Sequence, residues 1–236
     1  MTLALTHLLA AYAVLAAPWL GYLWYQKARK RIASGVPDAK KRLYRSLVLE
    51  QFITAGVVVG IWLGGRISAV SLGLVAPRSW ARTTAVLVLF VGALAWSGFR
   101  LRPKADQLRK RLQDGVGALV PDSRQDRFWW GVVSVGAGVS EELVFRGFLL
   151  YYLTAHLPAL NTPEKALLTS LAFGLGHAYQ GWKGVIGAGI MGMILAVLYL
   201  MTGSLILPVV IHAATDYRML LIFPPRSSPA VAEGNA

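Results

Sequence analysis

The chain has 236 residues, a formal net charge of +13, 56% hydrophobic residues and a mean hydropathy of +0.52. Only 15% of it is charged, against about 25% in an average soluble domain. Apolar stretches of roughly 20 residues recur, the length that spans a bilayer core of about 30 Å, so the composition excludes an ordinary soluble domain.

The absence of cysteine excludes a disulfide framework, thiolate zinc sites and a cysteine nucleophile. A sequence pI near 10.3 would point to nucleic acid in a soluble protein. Here, however, eight of the 24 basic residues lie between Lys27 and Arg45 and eight more between Arg100 and Arg127. Both segments separate apolar spans, and Lys and Arg are retained on the cytoplasmic side of membranes. The expected partner is therefore the lipid bilayer and not nucleic acid.

The first span runs from about Leu3 to Tyr25, too long for a signal-peptide core and without a basic segment before it. Its basic flank follows it, which predicts an outside N-terminus and a cytoplasmic 27–45 loop. Span two covers about Leu47 to Gly64, with Glu50 near its cytoplasmic start as an interfacial carboxylate. A connector from Gly65 to Arg82 holds three arginines and the Ala76-Pro77-Arg78 break. Span three is about Trp80 to Phe99.

In the second basic segment Leu101, Leu108, Leu112 and Val116 recur at near-helical spacing, as in an interfacial amphipathic helix. Pro121-Asp122-Ser123 then starts a helix, with Asp122 or Ser123 as N-cap. Span four follows from about Phe128 to Tyr152, with Trp129 and Trp130 at an interface. Span five is about Glu164 to Tyr179, span six about Val185 to Met201 and span seven about Ser204 to Phe223. Gly184, Ala188 and Gly192 place a small residue at every fourth position of span six, which allows close helix packing.

These segments predict an all-α polytopic transmembrane bundle of about seven to eight spans. It forms a single membrane-embedded domain over 1–223, with a disordered, cytoplasmic Pro/Ser-rich tail over 224–236. A bacterial plasma membrane suits the size and the lack of appended domains.

Three acids lie deep in spans. Glu141 and Glu142 are about 20 Å into span four at about 1.5 Å per residue, and Asp216 lies well inside span seven. Each costs at least about 2.5–3.5 kcal/mol at such depth, so such groups face a cavity or a partner and mark function. Arg146 follows Glu142 by four residues, about 40° away around a helix, but stands about 140° from Glu141. Glu142 is thus the expected counter-ion of Arg146, leaving Glu141 free to exchange protons. Phe173, one turn before His177, can fix that ring. Asp216, one turn after His212, can hydrogen-bond the second imidazole and set its tautomer. His7 and His156, near helix ends with no acidic neighbour, read as packing residues.

A carboxylate beside an imidazole can deprotonate water while a second histidine stabilises an oxyanion. Glu141, His177, His212 and Asp216 could alternatively ligate zinc and activate its bound water. A proton-coupled transporter could use the same groups as a relay, and buried polar glue remains a further reading.

The motifs Glu141-Glu142-Leu143-Val144-Phe145-Arg146, Phe173-Gly174-Leu175-Gly176-His177 and His212-Ala213-Ala214-Thr215-Asp216 resemble, in that order, the EExxxR, FxxxH and HxxxN/D signatures of the CPBP family of intramembrane proteases. That family includes CAAX prenyl endopeptidases and bacterial bacteriocin-processing or immunity proteins. The resemblance covers roughly 128–222.

It implies an all-helical protease with a polar cavity, acting on membrane-associated, prenylated or leader-type peptide substrates. By this likeness Glu141 activates water with His177, Glu142 and Arg146 support it, and His212 with residue 216 stabilises the oxyanion. No cofactor is favoured, with zinc as the alternative. CAAX-processing members often carry Asn where this chain has Asp216, and an ionised Asp cannot donate a hydrogen bond. A non-proteolytic scaffold or immunity protein is the alternative within the family.

Overall fold

The computed structural model describes residues 2–226 other than Asp114. It contains seven helical rods and, among the described residues, no strand. Rod α1 joins Thr2–Ala11, a π turn over Tyr12–Ala16 and Ala17–Ala33. Rod α2 is Ala39–Leu63. Rod α3 is Trp80–Leu101, prolonged through a 3-10 turn into Ala105–Leu112. Rod α4 joins Arg124–Glu142, a π segment over Leu143–Leu149 and Leu150–His156. Then come α5 (Thr162–Gly176), α6 (Trp182–Thr202) and α7 (Ile206–Ile222).

Four rods (α1, α2, α3 and α6) are long and apolar enough to cross a bilayer. The other three carry the chemistry. Rod α4 carries Glu141, Glu142 and Arg146 in its interior, α7 holds Asp216, and α5 has 15 residues, about 22 Å at the rise of a helix. The multi-pass membrane reading stands on the apolar rods.

Local chemistry sets the helix starts. Ser123 Oγ accepts from the Asp126 amide at 3.0 Å while the Asp126 carboxylate accepts from the Ser123 amide at 3.1 Å, a capping box that begins α4. Asn161 and Glu164 form the same reciprocal pair at the start of α5. Rod α6 ends at Gly203, whose φ of 69° lies where a Cβ is unfavourable.

Several expectations are corrected. Span two begins at Ala39, not Leu47, because its charged first turns are held by the bundle. Lys40 pairs with Asp122 at 2.6 Å, and Tyr44, fully buried, donates to the Leu119 carbonyl at 3.0 Å. Glu50 is therefore the twelfth of 25 residues of α2 and not a helix-start carboxylate. Its carboxylate accepts from the Tyr12 hydroxyl at 3.2 Å.

Trp130 does not sit at an interface. It is buried, and its indole donates to the Asp216 carbonyl at 2.9 Å. The apolar side of Ala105–Leu112 packs with Val120, Ile222 and Phe223, which closes the end of the bundle. The expected tail starts ordered: Arg226 N donates to Asp122 O and Pro224 O accepts from Arg109. Residues 227–236 lie outside the described residues. His7 and His156 come together at 5.0 Å between ring centroids, with Tyr152 hydrogen-bonded to His7 at 2.8 Å.

The two basic segments meet at one end of the bundle, where Asp122 contacts Lys40, Arg109 and Arg226. At the other end the 65–79 connector folds over the α6–α7 turn. Leu205 N donates to Gly73 O at 2.9 Å, Ser204 Oγ to Val75 O at 2.6 Å and Arg78 N to Thr202 O at 3.0 Å. Rod α4 packs between α2 and α7, and α5 lies against α6.

Candidate active site

Close approaches between backbones bring the polar residues together. A Cβ at Gly138 on α4 would stand 2.8 Å from the Val209 carbonyl and 3.0 Å from the Ala213 amide on α7. Without it α7 lies directly on α4, and His212 reaches Glu142, one turn beyond Gly138. A Cβ at Gly174 on α5 would meet Val185 O at 2.7 Å, and one at Gly192 on α6 would meet Arg146 and Phe173, both at 3.2 Å. Of the small-residue stripe read in span six, Gly192 makes the close contact. Gly184 approaches only the Gln180 side chain, and Gly174 with Gly189 carries the rest of the α5–α6 packing.

Glu142 is fully buried and its Oε1 accepts from two donors, Arg146 Nη1 at 2.8 Å and His212 Nδ1 at 2.8 Å. The expected Glu142–Arg146 pair is present. Arg146 Nη2 also donates to the Gly192 carbonyl at 2.8 Å, and the guanidinium lies 4.5 Å over the Phe173 ring. The pair sits at the start of a seven-residue π segment, a distortion that recurs at functional sites.

The expected partner of His212 is corrected. Asp216 Oδ2 lies 3.8 Å from His212 Nε2, too far for a hydrogen bond, so Glu142 and not Asp216 orients the ring. The one-turn offset within α7 is less favourable than the buried acceptor that α4 presents.

His177 Nδ1 lies 2.9 Å from the Phe173 carbonyl. A carbonyl only accepts, so Nδ1 carries the proton and Nε2 of the neutral ring keeps its lone pair. Phe173 thus fixes His177 through its backbone as well as its ring, whose centroid lies 4.7 Å from that of His177 and 5.6 Å from that of His212.

Glu141 differs from its neighbour. It is half-buried, and its carboxylate makes no hydrogen bond or ion pair among the described residues, although it lies in the electrostatic field of His212, Glu142, Arg146 and Glu50. Asp216 and His177 are half-buried and lie within each other's electrostatic field.

Sequence reasoning missed three contributors. Gly138 permits the α4–α7 approach just described, and Trp130 anchors the Asp216 backbone. Tyr179 stacks 5.9 Å from His177 and contacts Tyr25 of α1 at 5.2 Å. The glycine itself was the only available signal for the first of these.

Residues 123–218 match the family model described as type II CAAX prenyl endopeptidase Rce1-like. Over this stretch, which is less than half of the chain, the sequence is similar to type II CAAX prenyl endopeptidases. No curated protein and no solved structure gives a significant match. The matched stretch spans α4 to α7 and contains every acid, imidazole and guanidinium of the cluster. Rods α1–α3 lie outside the match.

Among the described residues no three His, Cys, Asp or Glu groups stand close enough to hold a metal ion. The Nδ1 atoms of His177 and His212 are both committed, one to a carbonyl and one to Glu142.

The α4–α7 approach supplies a direct test. Gly138→Ala forces a methyl group against backbone that a rotamer change cannot clear, at a cost of about 1–3 kcal/mol. The expected result is a lower thermal midpoint in detergent together with reduced proteolysis. An unchanged midpoint and full turnover would show that α7 does not depend on this contact.

Proposed function

We infer that this protein is an intramembrane endopeptidase in which Glu141 activates water for attack on a peptide carbonyl of a membrane-associated substrate. The observation that carries the reading is the asymmetry of two adjacent acids. Glu142 is held by Arg146 and His212, whereas Glu141 is half-buried without a hydrogen-bond or ion-pair partner. Glu142 is paired with Arg146 and His212 through Oε1 and its Oε2 is buried away from solvent, whereas the half-buried, unengaged Glu141 is placed to take a proton from water.

In this reading water gives a proton to Glu141, with the lone pair on His177 Nε2 orienting the attacking oxygen. The hydroxide oxygen bonds to the carbonyl carbon, and the oxyanion accepts a hydrogen bond from His212 Nε2–H. Because His212 gives Nδ1–H to Glu142, this second donation requires an imidazolium, which has Glu142 on one side and Asp216 on the other as counter-charges. Collapse breaks the C–N bond, and the proton on Glu141 passes to the departing amine. Asp216 then acts through the charge on His212. The substrate class is a prenylated tail, a leader peptide or a membrane anchor.

The test is cleavage by the full chain in vesicles, using one peptide sequence with and without a C-terminal prenylcysteine, with products mapped by mass. A single cleavage near the prenylated residue is expected. No cleavage of any membrane-associated peptide would favour a scaffold or a proton-coupled transporter.

Asp216→Asn adds a second arm. An amide offers a donor in place of an acceptor, so activity within about tenfold of the parent is expected if the oxyanion route holds. Collapse of activity in this variant, together with zinc-restored activity after chelation of the parent, would replace the route with a metal-bound one.

A further inference from the structure

The end of the bundle opposite the basic segments contains an open cavity of about 520 Å³, bordered by the start of α3 and the α6–α7 turn, with Arg78 and Arg82 exposed at its rim. Its polar side presents Arg78, Arg82, Ser79 and Thr202, and its apolar side Val86, Leu198, Met201 and Leu207. Met201 is 66% exposed, and α3 turns Val88, Leu89 and Trp96 outward. The cavity therefore opens towards the lipid-facing perimeter. Trp80, at the first position of α3, is also exposed, as aromatic residues are at headgroup level.

Charge decides what can enter. No acidic residue lies between Glu50 and Asp106 in the sequence, and none lines the cavity. Arg78 is positioned by neutral acceptors, donating to the carbonyls of Leu200 at 3.1 Å and Met201 at 3.3 Å. The Arg82 side chain makes no hydrogen bond or ion pair among the described residues. Two guanidinium groups thus keep their charge without a counter-ion, at the N-terminus of a long helix whose dipole also favours an anion.

We propose that this cavity binds a single anionic phospholipid, its phosphate against Arg78 and Arg82 and an acyl chain along Val86, Leu198, Met201 and Leu207. The volume lies in the range of small-molecule sites, and guanidinium groups are suited to bind phosphate. A chain-bearing phosphate satisfies both walls at once, which inorganic phosphate cannot do.

The experiment transfers the full-length protein from vesicles containing phosphatidylglycerol and phosphatidylcholine into mild detergent and counts retained lipid by native mass spectrometry. One phosphatidylglycerol per chain is expected, with phosphatidylcholine not retained. Because the Arg82 side chain has no intramolecular partner, Arg82→Gln leaves the fold intact and weakens phosphatidylglycerol binding about fivefold, the effect of one basic residue near a headgroup. Arg78→Gln with Arg82→Gln abolishes retention.

Equal retention by parent and Arg82→Gln would overturn the proposal. So would displacement of the lipid by millimolar inorganic phosphate, which would make this a free-phosphate site. A raised KM for peptide in Arg82→Gln with lipid retention unchanged would likewise overturn it, assigning the arginine to a substrate carboxylate.

Discussion

Replacing Glu142 with Gln is expected to lower the thermal midpoint on the order of 10 °C and to abolish proteolysis. The carboxylate is fully buried and its Oε1 takes hydrogen bonds from Arg146 and His212, both at 2.8 Å. Breaking a buried pair by removing one partner costs about 3–5 kcal/mol, because the remaining charge has nothing to balance it; that loss corresponds to the midpoint shift stated for a chain of this size. An amide oxygen satisfies at most part of this demand, and its NH2 group turns a donor towards other donors.

The damage spreads through Arg146. Its guanidinium also lies over Phe173 and reaches the Gly192 carbonyl, so its displacement disturbs α5 and α6 together. Differential scanning fluorimetry in detergent, alongside vesicle proteolysis, checks both expectations. An unchanged midpoint would mean that the pair is not a structural keystone.

The intrahelical half of this site was legible from the sequence, because helical geometry relates residues four apart. That arithmetic assigned Arg146 to Glu142, and the two meet at 2.8 Å even though a π segment begins between them. The same arithmetic misassigned His212. It could see only Asp216 one turn away, whereas the actual partner lies 70 residues distant in sequence and arrives because Gly138 lets α7 touch α4.

Glu50 was misplaced for a related reason. A hydropathy window ends where charge begins, yet Lys40 and its neighbours are helical because Asp122 and the Leu119 carbonyl receive them. Trp130 read as an interface residue because its exposure depends on where α7 lies. The seven rods themselves were readable to within a few residues, apart from the ends of α1 and α3 and the start of α2, since apolar length needs no tertiary knowledge but the charged extensions do.

Glu141→Gln carries the second large effect, in activity and not in stability. Removing a general base costs about 10²–10⁴-fold in rate. No hydrogen bond or ion pair of Glu141 is lost, and a charge in a membrane interior is costly, so the thermal midpoint stays unchanged or rises. The contrast with Glu142→Gln separates a group that works on water from one that holds the site together, which a melting curve or an activity assay alone cannot do. His177→Ala should share the loss of rate, because it removes the ring whose Nδ1 is tied to the Phe173 carbonyl and whose Nε2 is free.

The most direct measurement is therefore turnover of a membrane-anchored peptide by the parent protein and by Glu141→Gln, reconstituted at equal density in the same vesicles and shown to melt at the same temperature. The expected result is cleavage by the parent and a loss of at least about a hundredfold in the variant. Cleavage by Glu141→Gln within a few-fold of the parent would contradict the assignment of Glu141 as the group that activates water.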